Sequence, residues 1–251
     1  MAYSTRYYPR GLSSDGLFPP GVRWLLIVNT SLWLVYFLAI RAGFEEIFQH
    51  FGLVPAQVVH TFALWQLFTY MFLHDPLGFG HILFNMLTLW MFGSMLEQDW
   101  GTRQFLKYYF LCGMAAGVCV LVVNIAIGDW STPTIGASGA IFGLLLAFGV
   151  LYPNQTVLMN FLFPIKAKYM VMIYAAIELL LTFGPNTGVS TVAHLGGMVF
   201  GYVYLKVRWP RFSVGMAQMS QAYKQWKLQR AKRKFQVYLK KQGRGRGPWV
   251  N

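Results

Sequence analysis

Six long apolar runs restrict the fold of this chain more than any other feature of its sequence. Charged residues make up only 12% of its 251 residues, and hydrophobic residues make up 56%. A soluble domain is less apolar than this, whereas a helix that crosses a bilayer needs roughly 20 mostly apolar residues. The sequence therefore predicts an all-α membrane protein with six transmembrane helices. The runs cover residues 24–40, 81–96, 104–127, 136–152, 168–183 and 190–207.

The distribution of basic residues predicts that both chain ends are cytoplasmic. From Lys206 to the C-terminus there are 13 Lys and Arg and no Asp or Glu. Basic residues also mark the N-terminal segment and the even-numbered connections, and cytoplasmic segments are those enriched in Lys and Arg. The sequence thus predicts a cytoplasmic segment of residues 1–22, a six-span domain of residues 23–207 and a basic cytoplasmic tail of residues 208–251.

The first connection, residues 41–80, is too apolar for an exposed loop and too rich in Gly and Pro to cross the membrane. We expect a folded segment that lies partly in the outer membrane interface.

Four polar residues from three apolar runs fall at one depth in the membrane. Ideal helices rise about 1.5 Å per residue, which places Ser138 about 21 Å, His194 about 18 Å, His81 about 24 Å and Asn85 about 18 Å from the cytoplasmic ends of their spans. Polar groups inside a membrane usually face the bundle interior and one another. The sequence therefore predicts that these four side chains form one site in the outer half of the bilayer.

The residue types at this depth indicate acyl transfer. Ser138 is a candidate nucleophile, which requires a base for its proton and donors for the oxyanion that forms. His194 is the candidate base, and later the acid that protonates the leaving amine. His81, Asn85 and the Ser138 backbone N–H at a helix N-terminus are the candidate oxyanion donors. Glu178 is expected to lie below this layer, so the sequence predicts a Ser-His dyad and no acidic third member.

No cofactor and no metal are predicted. Cys112 and Cys119 share one apolar run. Their spacing is typical of two free thiols in a packed helix, and it gives no redox or metal signal.

Four motifs carry a resemblance to a known family. They are His81-Ile-Leu-Phe-Asn85, Glu97-Gln-Asp-Trp-Gly-Thr-Arg103, Gly136-Ala-Ser138-Gly139 and Ala193-His194-Leu-Gly-Gly197 followed by Gly201. Together they resemble the rhomboid intramembrane serine proteases over about residues 20–207. The resemblance implies a six-span bundle with Ser138 as nucleophile, His194 as base and His81 and Asn85 lining the oxyanion hole.

The resemblance also bears on three aromatic and polar positions. It implies that Phe142 packs against the catalytic histidine. Trp65 matches the tryptophan of the family's Trp-Arg pair in the first connection, but Gln66 stands in place of the arginine. The contacts that the family assigns to that arginine are therefore not implied for this chain.

Three classes of function fit a polar site in a bundle. The interpretation that we favour is an endopeptidase that cleaves single-span or other transmembrane proteins, in a bacterial plasma membrane, with its site open to the non-cytoplasmic side. A catalytically inactive relative that binds membrane proteins is the alternative, although such a relative is expected to lack Ser138 or His194. A transporter or channel is third, because its polar groups should continue along a path across the membrane, whereas the lower halves of the spans, such as residues 144–150, are apolar.

Residues 183–188 are uncharged and rich in turn formers, and they directly precede the histidine span. This connection is a candidate mobile cap over the site, with the fifth span moving sideways to admit substrate. A plain tight turn is the alternative.

The tail is predicted to bind anionic membrane lipids, and no nucleic acid is expected as a partner. Apolar residues between Met216 and Leu239 recur among lysines and arginines, in a pattern close to a basic amphipathic helix. Each basic group near anionic lipid contributes about 1 kcal/mol, and salt screens this attraction. A solvated, unattached tail is the alternative.

We expect a peptide of residues 211–242 to bind vesicles as a helix. Circular dichroism and vesicle co-sedimentation should show helicity and binding that rise with the content of anionic lipid and fall with added salt. A peptide that stays unbound at low salt contradicts this role for the tail.

Overall fold

Helices dominate the computed structural model, which describes residues 17–44, 46–159, 162–184 and 191–208. The chain divides after Val203 into two compact units, and the features described below belong to the first. Apart from one or two residues at some ends, the described parts of the predicted apolar runs all lie in helices. Their bounds are Pro20–Arg41 (α1), Phe79–Thr88 (α5) continuing through a π-helical turn Leu89–Gly93 into Ser94–Trp100 (α6), Thr102–Ala126 (α7), Ser138–Leu151 (α8), Ala167–Thr182 (α9) and Thr191–Arg208 (α10).

Three helices in the described ranges are long and apolar enough to cross a membrane. They are Pro20–Arg41, Phe79–Trp100 and Thr102–Ala126. The helix α8 is also apolar but has 14 residues, and α9 has 16. The mostly helical, membrane-spanning character of the chain is thereby confirmed, whereas the number of spans and the side on which the termini lie stay predictions. The predicted N-terminal segment up to residue 16 and the tail from residue 209 lie outside the described residues.

The first connection is folded, as its composition predicts. It contains the short helices Glu46–Gln49 (α2), Pro55–His60 (α3) and Gln66–Thr69 (α4), followed by a 3-10 turn Tyr70–Phe72. Its backbone pairs with the segment that precedes α8, since Leu53 and Thr134 exchange two N–H···O bonds of 2.9 Å. The Gly136 N–H donates to the Tyr70 carbonyl at 2.9 Å, so this connection fixes the chain two residues before Ser138.

Gln66 explains how the first connection holds its shape without the arginine of the family pattern. Its side chain is fully buried. The amide nitrogen donates to the His50 carbonyl at 3.1 Å and to Gln57 Oε1 at 2.5 Å. The amide oxygen accepts the Val54 N–H at 3.0 Å. A buried amide with all these partners ties three parts of the connection together without a buried charge.

A β-hairpin joins α8 to α9, and the sequence analysis did not predict it. The strands Thr156–Met159 (β1) and Phe163–Lys166 (β2) are antiparallel, with Thr156 opposite Lys166. Each strand has only four residues. Such short segments carry too little alternation of apolar and polar residues to be distinguished from a loop.

Small residues let α8 approach both α7 and α10. A Cβ atom on Gly139 would lie 2.6 Å from the Ala116 Cβ of α7 and 3.3 Å from the Ala193 carbonyl of α10. A Cβ atom on Gly197 would overlap the Gly139 carbonyl, so the backbones of α8 and α10 touch at this point. Gly201, one turn further along α10, faces the Tyr108 hydroxyl of α7 at a similarly short separation. Glycines at these positions serve close helix packing.

Glu97 of α6 caps the N-terminus of α1. Its carboxylate oxygens accept the N–H groups of Gly21 and Val22, each at 2.7 Å, and Oε1 also accepts the Thr102 hydroxyl at 2.6 Å. The side chain is 2% exposed. A carboxylate at a helix N-terminus satisfies N–H groups that have no partner within the helix and complements the helix dipole. Glu97 thus joins the first, second and third apolar helices.

We expect Glu97→Ala to lower the free energy of unfolding by about 3 kcal/mol, because it leaves two buried N–H donors and the half-buried Thr102 hydroxyl without an acceptor. Heat-induced unfolding in detergent micelles, followed by circular dichroism, measures this change. Glu46→Ala is the control, since Glu46 is an exposed carboxylate, and its effect should stay within about 0.5 kcal/mol. Equal melting temperatures for the two variants would contradict the capping role.

Candidate functional site

Ser138 and His194 lie within hydrogen-bond distance of each other. The Ser138 Oγ atom is 2.8 Å from the His194 Nε2 atom. Ser138 is the first residue of α8, and His194 lies in the first turn of α10. The glycine contact between these helices is therefore what brings their N-terminal ends together. His194 is 6% exposed, so its imidazole is largely shielded from water.

The turn before Ser138 brings His81 to the same place. Gly136 has a φ of 123°, in the region that side-chain-bearing residues rarely adopt. A Cβ atom on Gly136 would lie 3.1 Å from His81 Nε2 and 3.7 Å from Ser138 Oγ. Glycine is thus required here for its conformation, and its missing side chain lets the His81 ring approach the serine.

Phe142 fixes the plane of the histidine ring. The rings of Phe142 and His194 stack with their centroids 4.1 Å apart and their planes inclined by 7°. Phe142 follows Ser138 by one turn of α8, so the helix that carries the serine also supports the histidine. Tyr174 of α9 packs edge-on against Phe142, with a centroid distance of 6.3 Å.

Asn85 lies on the wall of a cavity of about 1660 Å³ that Ser138, His81 and His194 also line. Asn85 is 7% exposed. It follows His81 by one turn of α5, so the two side chains share one face of that helix. The cavity extends between the first connection and α5, α8, α9 and α10. The structure thus places the four predicted site residues around one space, and their chemical roles stay predictions.

Glu178 contradicts the expectation that no acidic residue reaches His194. Its Oε2 atom lies 2.9 Å from His194 Nδ1, and both side chains are about nine-tenths buried, at 10% and 8% exposure. Neither atom has a hydrogen-bond partner of good geometry, so the contact is close but lies off the axis of the ring N–H. The carboxylate and the ring nitrogen are thus in direct contact at hydrogen-bond distance.

The depth comparison failed for Glu178 because it used backbone positions alone. By the helical rise, Glu178 and His194 lie about 16 Å and about 21 Å from the lower ends of α9 and α10. A glutamate carboxylate lies several Å from its Cα atom and bridges a difference of this size. The Thr182 hydroxyl also bonds to the Thr191 hydroxyl at 2.9 Å, which draws the upper ends of α9 and α10 together.

His74 is a second buried group that the sequence analysis missed. It lies in the connection before α5, is fully buried, and its ring is 5.2 Å from that of His81. Neither ring nitrogen has a hydrogen-bond partner of good geometry. Burial, with a smaller contribution from the neighbouring His81, lowers the pKa of His74 to about 3. His74 is therefore neutral and packs behind the site.

In the described ranges, no group of three or more His, Cys, Asp or Glu side chains is arranged to hold a metal ion. Cys112 and Cys119 are free cysteines in α7.

Comparison with known proteins gives the same family as the motifs. The family model of the rhomboid domain matches residues 61–211. RHOMBOID-like protein 1 of Arabidopsis thaliana is 34% identical over 149 residues, which cover 59% of this chain and 35% of that protein. The mitochondrial RHOMBOID-like protein 12 of the same plant is 28% identical over 221 residues, covering 82% and 63%. Rhomboid protease GluP of Bacillus subtilis is 29% identical over 182 residues, covering 70% and 33%.

The chain thus spans between one third and two thirds of the length of these relatives. The family match and the apolar helices make it an integral membrane protein. One relative is named as mitochondrial and another comes from a bacterium. The comparisons therefore do not support the predicted choice of a bacterial plasma membrane.

We expect the stability of the folded protein to fall as the pH drops below about 6.5, the pKa of an unperturbed histidine. Folding lowers the pKa of His74. Below the pKa of the unfolded state, the unfolded chain therefore binds a proton that the folded protein does not, and stability is lost as the pH falls towards the folded pKa. Melting temperatures between pH 8 and pH 5 measure the effect, and His74→Phe should reduce the slope. His60→Phe, at an exposed histidine, is the control that keeps the wild-type slope. Equal slopes in all three proteins would contradict this account of His74.

Proposed function

The chain belongs to the rhomboid family, and we propose that it is an intramembrane serine endopeptidase with Ser138 as nucleophile and His194 as base. The observation that carries the proposal is the distance of 2.8 Å between Ser138 Oγ and His194 Nε2, at the edge of a large cavity. A serine and a histidine in this arrangement are the minimum that acyl transfer needs. A protease among the relatives, Rhomboid protease GluP, supports the same activity class.

His194 Nε2 transfers a proton in both halves of the proposed reaction. His194 Nε2 takes the proton of the Ser138 hydroxyl while Oγ forms a bond to the carbonyl carbon of the substrate. The tetrahedral intermediate then collapses: the C–N bond breaks, and Nε2 returns the proton to the leaving amine. A water molecule attacks the acyl-enzyme with His194 again as base, which releases the second product and restores the Ser138 hydroxyl.

The oxyanion of the intermediate requires donors opposite the histidine. The Ser138 backbone N–H begins α8, where the helix dipole favours negative charge. His81 supplies a ring nitrogen next to Gly136, and Asn85 supplies an amide one turn further along α5. We assign these three groups to the oxyanion hole, where each stabilises the negative charge that develops on the substrate oxygen in the transition state.

The proposed substrates are single-span or other transmembrane proteins, because the site lies among helices that are apolar on their outer faces. We retain the six-span arrangement with cytoplasmic termini, in which the active site opens to the non-cytoplasmic side. In this arrangement the basic tail meets anionic lipids on the opposite side of the membrane, away from the chemistry.

We expect Ser138→Ala and His194→Ala each to lower kcat by at least about 10⁴-fold, and the double variant to lose no more than either single variant, because the two residues act as a unit. Cleavage of a panel of single-span test substrates by purified protein in liposomes measures the loss.

Ser94→Ala is the matched control for these variants. Like Ser138, Ser94 is the first residue of a helix segment; its hydroxyl is buried and has no hydrogen-bond partner, so its removal should leave cleavage unchanged. Wild-type cleavage rates in Ser138→Ala would refute the proposed function. A wild-type protein that cleaves no substrate yet binds transmembrane segments would favour the inactive relative instead.

A further inference from the structure

The second ring nitrogen of His194 faces a carboxylate. Glu178 Oε2 is 2.9 Å from Nδ1, on the side of the ring away from Ser138, which is bound at Nε2. His81, which lines the same cavity, also interacts electrostatically with His194. Among the described residues, Glu178 is thus the acid in direct contact with the histidine that the proposed mechanism uses as base.

A carboxylate at this place needs an explanation other than packing. Glu178 is one of the few buried charged residues of the described ranges, and the one other charged residue of its helix is Lys168, in the first turn. The burial of a charge within a membrane protein is costly, so such residues usually face a functional site and pair with a specific partner. The ordinary structural alternative is an ion pair that only holds α9 against α10.

The local structure argues against this alternative, because α9 and α10 are already joined without the carboxylate. The Thr182 hydroxyl donates to the Glu178 carbonyl at 2.8 Å and contacts the Thr191 hydroxyl at 2.9 Å. This pair of threonines closes the two helices one turn beyond Glu178. The contact between the two helices therefore does not depend on the carboxylate alone, and the carboxylate is placed to act on the histidine.

The aromatic stack on His194 leaves one property of the ring undetermined. Phe142 fixes the plane of the imidazole, but an aromatic face does not determine which ring nitrogen carries the proton. Only the form with hydrogen on Nδ1 leaves a lone pair on Nε2 to accept the Ser138 proton. An ionised carboxylate at Nδ1 accepts a hydrogen bond and so selects this form, whereas a protonated carboxyl would donate to Nδ1 and select the wrong one.

We propose that Glu178 is the positioning residue of a Ser138-His194-Glu178 triad: its ionised carboxylate holds the proton of His194 on Nδ1 and stabilises the imidazolium that forms when Nε2 takes the serine proton. This inference rests on the proposed function. It replaces the dyad that the sequence predicts. Glu178 does not touch the substrate and acts only through His194.

Three variants in the full-length protein in liposomes test the proposal. Glu178→Gln keeps the size of the side chain and removes its charge. We expect kcat to fall about a hundredfold and KM to stay within about twofold. The loss in kcat is smaller than the roughly 10⁴-fold that amide substitution causes in an aligned triad, because the contact here lies off the N–H axis. Glu178→Asp keeps the charge on a shorter side chain and should recover part of kcat.

Asp99→Asn is the matched control. Asp99 is an exposed carboxylate that accepts a hydrogen bond from Tyr152, at the opposite end of α8 from Ser138. The same change from acid to amide at this distance, about 21 Å along the helix, should leave kcat unaltered. A Glu178→Gln protein with at least half of the wild-type kcat overturns the proposal. A Glu178→Asp protein no more active than Glu178→Gln overturns it as well, because charge would then have no role.

Nitrogen-15 NMR of histidine-labelled protein gives a second measurement that needs no proteolysis. In Ser138→Ala protein near pH 8, the shifts of His194 should report hydrogen on Nδ1, and Glu178→Gln should increase the population with hydrogen on Nε2. Hydrogen mainly on Nε2 in the protein with Glu178 intact overturns the inference.

The two measurements keep the two proposals apart. Absence of cleavage by the wild type, or equal cleavage by Ser138→Ala, refutes the proposed function, and the tautomer of His194 then still decides what Glu178 does. Normal cleavage that depends on Ser138 but not on Glu178 refutes the triad alone.

Discussion

The backbones of α8 and α10 touch at Gly139 and Gly197, and the site depends on this contact. A side chain on Gly197 would occupy the place of the Gly139 carbonyl oxygen. Since Ser138 and His194 lie one and three residues before these glycines, a wider separation of the helices would move Oγ and Nε2 out of hydrogen-bond range. Close packing of small residues is the main force that holds helices together in a bilayer, where burial of apolar surface gives no advantage over lipid. The same glycines therefore supply both stability and the geometry of the nucleophile.

A second constraint comes from the first connection, which holds the chain just before Ser138. Hydrogen bonds from Leu53 to Thr134 and from Gly136 to the Tyr70 carbonyl give this irregular segment partners for its backbone groups. Irregular backbone near a membrane needs such partners because lipid offers none. Tyr70 in turn donates its hydroxyl to the Gly113 carbonyl of α7 at 2.6 Å. The connection thus links the longest apolar helix to the turn that presents the serine.

The sequence predicts the apolar helices and the family, both of which are confirmed, since apolar run length and motif spacing are local properties of the chain. It also predicts a shared space for Ser138, His194, His81 and Asn85, because the helical rise gives their relative depth, and the structure places all four around one cavity. Glu178 could not be placed in this way, because a contact between α9 and α10 depends on side-chain reach and on how closely the helices approach. His74 lies in an irregular connection, where no periodicity indicates which side chains are buried.

If Glu178 positions His194, the location of α9 affects the chemistry of the site. Ser138 and His194 stand on α8 and α10, which are fixed against each other by backbone contact, whereas the carboxylate stands on α9. At its upper end, α9 is held to α10 by the contact between the Thr182 and Thr191 hydroxyl groups. Either hydroxyl can form a hydrogen bond with another group instead. A sideways displacement of α9 of the kind predicted for substrate entry would thus leave the serine and the histidine together and remove the carboxylate from Nδ1. The nucleophile would then persist without the group that fixes its base in the reactive tautomer, and full activity would return only when α9 closes on the bound substrate.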